Sequence, residues 1–319
     1  MIPSVALLLL SLFALAARTT EPACPTEVIR PCDCGEYSSG NAKVNCSSAR
    51  GSVEISSALR NAPWPSSHIW QFELADNTEV KDLPEGVFGS LSFEKILIYN
   101  TTLRTIHSSS ILSSRDRLVD LTIAHSRLEV FPFHLLPAFS VLKKLWLQNN
   151  SLTSVPVLKS ESLEVLYLYS NRITRVEEDG WATPNLRELY LSYNPLSEIP
   201  SAVITGLTNL EKFYCSGCNL GGTLPSGFLV FRSKALRLVS LWKNGIARLD
   251  PGAIVGLRAD TTLELTWNNV AHLNEGIFRP MLEVMSHGIG LLDLEDTKLD
   301  SDSQGTVMST NSFLYSSVG

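Results

Sequence analysis

The sequence has little of what a nucleic-acid binder, a membrane protein or a hydrolase displays. Its 319 residues carry 26 Lys and Arg against 32 Asp and Glu, a net charge of −6, with six scattered histidines. No basic stripe is available to neutralise a phosphate backbone, which argues against a nucleic-acid partner. No apolar run reaches the about 20 residues that a membrane-spanning helix needs. The longest, Val5 to Ala17, stops at Arg18, and the C-terminal stretch "DSDSQGTVMSTNSFLYSSVG" lacks the hydrophobic tail of a lipid-anchor signal, so no membrane anchor is expected. Catalytic signatures are missing as well: no G-x-S-x-G, no H-E-x-x-H, no G-x-G-x-x-G and no phosphate-cradling glycine loop. These absences predict a protein that is not an enzyme and holds no cofactor or metal.

What is present begins with an export signature. The run ending in Ala14-Leu15-Ala16 before polar sequence reads as a signal peptide over residues 1–17, which predicts a secreted, extracellular protein. Three glycosylation sequons agree with export, at Asn45, Asn100 and Asn149. Hydrophobic residues make up 44% of the chain, enough for a sizeable core.

The organising feature is a repeat. The frame L-x-x-L-x-L-x-x-N-x-L recurs in "LKKLWLQNNSL" from Leu142, "LEVLYLYSNRI" from Leu163, "LRELYLSYNPL" from Leu186 and "LRLVSLWKNGI" from Leu236. Looser copies start at Ile69, Phe93, Leu118, Leu210, Asp260 and Ile289, giving ten repeats spaced 21 to 29 residues apart over 69–299. With the first residue of the frame as position 1, positions 4 and 6 form a short strand with apolar side chains directed inward, and positions 1 and 11 complete the layer. Position 9 lies where the chain leaves the strand and buried backbone groups need a partner. Asn77, Asn150, Asn171, Asn194, Asn244 and Asn268 supply donor and acceptor there as a structural ladder, whereas Thr101, Ser126, Cys218 and Thr297 serve less well.

The frame is that of the leucine-rich repeats. It predicts an α/β solenoid, a horseshoe with a parallel β-sheet on the concave face and short helical or 3-10 returns on the convex face. The returns, such as "LPEGVFGSL" and "LNEGIF", are too short for a long helix. A cysteine-containing N-terminal cap is expected over 18–68 and a Ser-rich, uncapped tail over 300–319, where the tail, a partner or truncation must account for the missing second cap. Cys24, Cys32, Cys34 and Cys46 read as two disulfides of the cap. Cys32 and Cys34, two apart in extended chain, point to opposite faces, which favours Cys24 with Cys34 and Cys32 with Cys46 among the three connectivities. Cys215 and Cys218 form a C-x-x-C, but at inward positions 6 and 9 of the seventh repeat they read as core packing, bonded or not.

Positions 2, 3, 5, 7 and 8 face outward on the concave surface. Of the fourteen Tyr and Trp residues ten fall there, where random placement would put about two: Trp70, Tyr99, Trp146, Tyr167, Tyr169, Tyr190, Tyr193, Tyr214, Trp242 and Trp267. Phe suits strands equally yet is absent from these positions, so strand preference does not explain the bias. Trp146, Tyr167, Tyr190 and Tyr214 occupy position 5 of successive repeats, a strip with neighbours about 4.8 Å apart and roughly 15 Å long. Tyr and Trp are enriched at binding hot spots, so Trp146, Tyr167, Tyr169, Tyr190, Tyr193, Tyr214, Trp242 and Trp267 are the candidate partner-binding residues. Lys143, Lys144, Arg187 and Lys212 edge the strip, and Asp293, Glu295 and Asp296 make its C-terminal end acidic. His125, the one histidine on this face, has no companion nucleophile and reads as a surface or hydrogen-bonded side chain.

The frame and the cysteine cap together resemble the extracellular leucine-rich repeat superfamily. Within it, "CPTEVIRPCDC", "FELADNTEVKDLPEGVFGSLSFEKILIYNTTLRTI" and "ELYLSYNPLSEIP" resemble the family that includes the non-catalytic subunit of oplophorus-luciferin 2-monooxygenase, the secreted shrimp luciferase, with its arthropod relatives. The resemblance implies a secreted polypeptide that accompanies another, such as a secreted catalytic subunit or a receptor. It supplies no catalytic residue. The other expectation is an extracellular recognition or innate-immune-type protein that binds a microbial or glycan ligand on the same face.

Overall fold

The computed structural model describes residues 23–37, 41–178 and 180–300. The signal peptide and the tail beyond Asp300 lie outside the described residues.

Twelve strands form one sheet in strict sequence order, Asp33–Tyr37 at one end and Leu291–Asp293 at the other. The first two pair antiparallel as a hairpin, and from Asn41–Asn45 onward each strand lies parallel to the next. Ten of the strands belong to the ten repeats. Their register is the frame itself: Leu145, Leu166, Leu189, Phe213, Val239, Leu263 and Leu292, all at position 4, align across successive strands and are buried. Stacking identical frame positions turns one apolar stripe per repeat into a continuous core, in which each repeat touches mainly its neighbours. Phe72, Phe88 and Phe93 fill the core of the first two repeats with ring centroids 4.8 to 5.6 Å apart.

The cap hairpin closes the N-terminal end. Disulfides join Cys24 to Cys34 and Cys32 to Cys46, and Val44 and Cys46 carry the core into the cap. The helix Ser52–Asn61 then packs Ile55 and Leu59 beneath the first repeat.

The asparagine ladder is complete wherever Asn stands at position 9. Asn194 is typical: its Nδ2 donates to Leu191 O in its own repeat at 2.8 Å and to Leu168 O in the preceding one at 2.9 Å, while its Oδ1 accepts from Ile173 N at 3.0 Å. Asn150, Asn171, Asn244 and Asn268 repeat the scheme, whereas Asn77, in the first repeat, donates to Ser47 O and Ala49 O of the cap and accepts from Glu79 N and Val80 N in its own turn. In the substituted repeats Thr101 Oγ1 pairs with Ser126 Oγ at 2.7 Å and Thr297 donates to Leu294 O.

In the seventh repeat Cys215 and Cys218 are bonded and fully buried. An Asn at position 9 ties back to the carbonyl of position 6; here a covalent bond ties the same two positions. Gly217 between them, at φ 61°, makes the turn that brings the sulfurs together. The Cys218 sulfur lies 3.5 Å from Leu191 O, but a bonded sulfur has no proton to give, and that carbonyl relies on Asn194.

The structure adds one feature to the expected short helical and 3-10 returns and corrects two other expectations. The returns also stack into two-residue parallel pairs, such as Ser154–Val155 with Arg175–Val176 and Leu229–Val230 with Ile254–Val255, because their β-branched residues recur in register. The return containing "LNEGIF" is no short turn but an eleven-residue helix, Glu275–Met285, which the longest repeat interval has room for and which Asn274 caps by accepting from Gly276 N. Position 1 fails in the last two repeats: Asp260 is exposed and Ile289 is 85% exposed, whereas Thr261 and Gly290, one residue on, are buried. A Cβ on Gly290 would lie 2.5 Å from Ala259 O, so the chain approaches too closely there for a larger inward residue.

Candidate functional site

Outward positions of the ten frames share one face of the sheet, and position 8 has a conformation of its own. It has positive φ in every repeat, at Asp76, Asn100, His125, Asn149, Ser170, Tyr193, Gly217, Lys243, Trp267 and Asp296. The chain turns out of each strand through the left-handed region, which suits Gly, Asn and Asp and strains bulky side chains. Tyr193 and Trp267 hold it nonetheless, 47% and 57% exposed.

The position-5 aromatics sit in register, Trp146 beside Tyr167, Tyr190 and Tyr214. Their rings stack face to face, with centroids 4.0, 3.8 and 4.4 Å apart and interplanar angles of 17°, 12° and 10°. The spacing is closer than the strand separation because the rings tilt into contact. Each inner ring spends both faces on its neighbours, and both residues are half-buried.

Charges knit the same strands. Lys143 pairs with Glu164 at 3.0 Å, Arg187 with Glu211 at 2.5 Å and Lys212 with Glu188 at 3.0 Å, so opposite signs alternate across repeats 4 to 7. Glu188 also accepts from Tyr190 Oη at 2.8 Å. Burial opposes its ionisation, but the hydrogen bonds from Tyr190 and Lys212 outweigh burial and hold the carboxyl below the usual range. Burial, then hydrogen bonding with Tyr167 and Glu188, pushes the Tyr190 phenol far above its ordinary value.

Beyond Tyr214 the row ends, because the aligned residue of the next strand is Ser240. Ser192, Ser216, Ser240 and Thr266 form a buried floor, linked by Ser216 Oγ to Ser240 Oγ at 2.9 Å and Ser216 N to Ser192 Oγ at 3.0 Å. Beside this floor Tyr193, Trp242 and Trp267 meet edge to face, at 6.1 and 6.4 Å. The Tyr193 ring also lies against Gly217, where a Cβ would come within 3.1 Å. None of the three is stacked between two neighbours as the inner rings of the row are, and Tyr193 and Trp267 stay exposed. The signal that could have revealed the patch in the sequence is the run of small hydroxyl residues at outward positions 5 and 7 of consecutive repeats.

The remaining predicted residues scatter. Tyr169 meets Tyr167 edge to face at 6.4 Å, Trp70 lies under Lys95 Nζ at 5.1 Å, and Tyr99 stands apart. Asn100 is exposed and donates to Asp76 Oδ1 at 2.6 Å, Asn149 lies 3.4 Å from His125 Nε2, and Asn45 is half-exposed on the cap hairpin. His125 therefore faces an amide. Among the described residues no group of three or more His, Cys, Asp or Glu could hold a metal ion, and no helix is long and apolar enough to cross a membrane.

Comparison with known proteins matches this geometry. The leucine rich repeat family matches residues 161–220, and its two-copy form matches 140–179. The fold is a leucine-rich repeat solenoid. It is 28% identical to the oplophorus-luciferin 2-monooxygenase non-catalytic subunit of Oplophorus gracilirostris, over 82% of this chain and 73% of that one. It is 36% identical to podocan-like protein 1 of Mus musculus over 44% of its length, a stretch that spans 25% of that relative. A chain of the octameric complex of Latrophilin 3, Unc5D and FLRT2 (LRR) shares the fold of this leucine-rich repeat protein, with a TM-score of 0.60, 16% identity and 92% coverage of each chain.

Proposed function

We propose that this chain is a secreted, non-enzymatic binding or scaffold protein, a non-catalytic accessory subunit that engages a protein partner through the aromatic side chains of its concave face. The observation that carries this reading is the open cluster of Tyr193, Trp242 and Trp267, two of them held exposed in a backbone conformation that bulky residues rarely adopt. Large aromatic side chains that neither pack inward nor stack on each other offer apolar area with a polar edge, the composition of interface hot spots. All six cysteines are bonded, as suits an oxidising compartment, and one relative, aligned over 82% of the chain, is itself named a non-catalytic subunit.

The test is capture from native secretions on the tagged, full-length protein. A polypeptide held in equal stoichiometry by the wild type and released by the Tyr193→Ala/Trp267→Ala double variant is the expected result. Retention on that variant as strong as on the wild type overturns the concave face as the contact. Recovery of glycan or microbial surface material in place of a polypeptide overturns the subunit role.

A further inference from the structure

The concave face changes its charge logic along its length. In repeats 4 to 7 each outward carboxylate of Glu164, Glu188 and Glu211 has a cation on an adjacent strand. In repeats 9 and 10 the outward positions hold Glu264, Asp293, Glu295 and Asp296 and no Lys, Arg or His. Glu264 and Asp293 are directly aligned on neighbouring strands and half-exposed, and neither they nor Asp296 form an ion pair among the described residues. Like charges placed opposite one another cost stability, so this arrangement is one that a bound cation relieves. The same end carries the exposed aromatics: the backbone N–H of Trp267 donates to Glu295 O at 3.2 Å, Asp296 takes the position of Trp267 on the next strand, and Glu264 ends the strand three residues before it. An indole face is the preferred aromatic site for Arg and Lys, and Lys243 Nζ, 5.7 Å from the Trp242 ring centroid, already uses that attraction within the chain.

We infer that the Tyr193–Trp242–Trp267 patch with Glu264, Asp293 and Asp296 seats an Arg- or Lys-bearing segment of the protein partner. This rests on the concave-face reading above and specifies the chemistry of what binds there. Cationic side chains lie against these rings while the carboxylates fix their direction. The paired charges of repeats 4 to 7 leave that stretch close to neutral, so the field of the face orients a basic segment toward the C-terminal repeats.

The experiment is calorimetric titration of the full chain with a peptide alternating arginine and glycine, and with its citrulline counterpart, which keeps the shape and loses the charge. The arginine peptide is expected to bind at one site, about ten-fold or more tighter than the citrulline peptide, and to weaken as salt is raised. Trp267→Ala and Glu264→Gln/Asp293→Asn are each expected to weaken it about ten-fold. All three residues are exposed or half-exposed, and unchanged melting of the variants separates lost binding from lost fold. Equal binding of the two peptides overturns the inference, as does a chitin oligosaccharide that saturates the same residues where the arginine peptide does not. A captured partner that needs Tyr193 and Trp267 but ignores Glu264→Gln/Asp293→Asn overturns this inference alone. One that ignores the aromatic pair overturns the wider reading.

Discussion

Tyr190 and Tyr193 lie in the same repeat, three residues apart on the same face of the sheet, and belong to different physical systems. Tyr190, at position 5, is the middle of a strand whose neighbours are in register, so its ring meets Tyr167 at 3.8 Å and Tyr214 at 4.4 Å. Tyr193, at position 8, sits where the chain leaves the strand at φ 56°, and its ring meets Trp242 only edge to face at 6.1 Å. Strand registry makes the first row cohesive, and the turn makes the second set available. Frame position, more than residue type, separates aromatics that hold the sheet from aromatics that a partner can reach.

The sharpest way to break this division is to compare truncations at the two kinds of position. Tyr190→Ala removes two stacked contacts, the bond to Glu188 and half-buried ring area, and is expected to lower stability by about 3 kcal/mol. Trp267→Ala, at an exposed site, should stay within about 0.5 kcal/mol of the wild type. Chemical denaturation of both variants measures the difference. Equal losses would show that the open patch is also part of the scaffold.

The turn beneath Tyr193 sharpens the comparison at intermediate cost. Replacing Cys215 and Cys218 together by Ser is expected to cost about 2 kcal/mol, the value for a cross-link closing so short a loop. Gly217→Ala should cost about 1 kcal/mol, because φ 61° disfavours a side chain and its Cβ would press on the Tyr193 ring. Melting curves for both check the order, and a Gly217→Ala variant as stable as the wild type would mean that Tyr193 does not rest on this turn in solution.

The frame was legible in the sequence because solenoid register and sequence period are the same quantity: Leu145, Leu166 and Leu189 align in space because they align in the repeat. The ladder was legible for the same reason. Position 8 was placed in the frame correctly, but its left-handed backbone was not, since Tyr193 and Trp267 are residues that local preference would never put there. Face-to-face stacking was hidden because spacing gives the distance between strands and says nothing of ring tilt. The helix Glu275–Met285 and the outward Ile289 were missed where the frame is loosest, since an interval of irregular length no longer says which residue faces the core. The carboxylates of the last repeats were visible as an acidic end, but only the register shows that Glu264 lies directly beside Asp293.

The smallest expected effect is an optical one, and it concerns the stacked row alone. The Tyr190 phenol is raised because burial, the Tyr167 contact and the hydrogen bond to Glu188 all favour the neutral form. An acid whose folded pKa lies above its unfolded value keeps the folded state's full stability below the unfolded pKa, about 10 for a phenol, and destabilises it as pH rises beyond that point. Tyr214 is raised in the same direction, chiefly by burial. Following phenolate absorbance in the alkaline range should therefore give a step from exposed tyrosines and a later one that coincides with unfolding seen by circular dichroism. Tyr190→Phe should shrink the later step without touching the first. If Tyr190 ionises in the first step while the sheet signal is intact, its hydroxyl does not donate to Glu188 in solution, and the stacked row is open to solvent in the way that the C-terminal patch is.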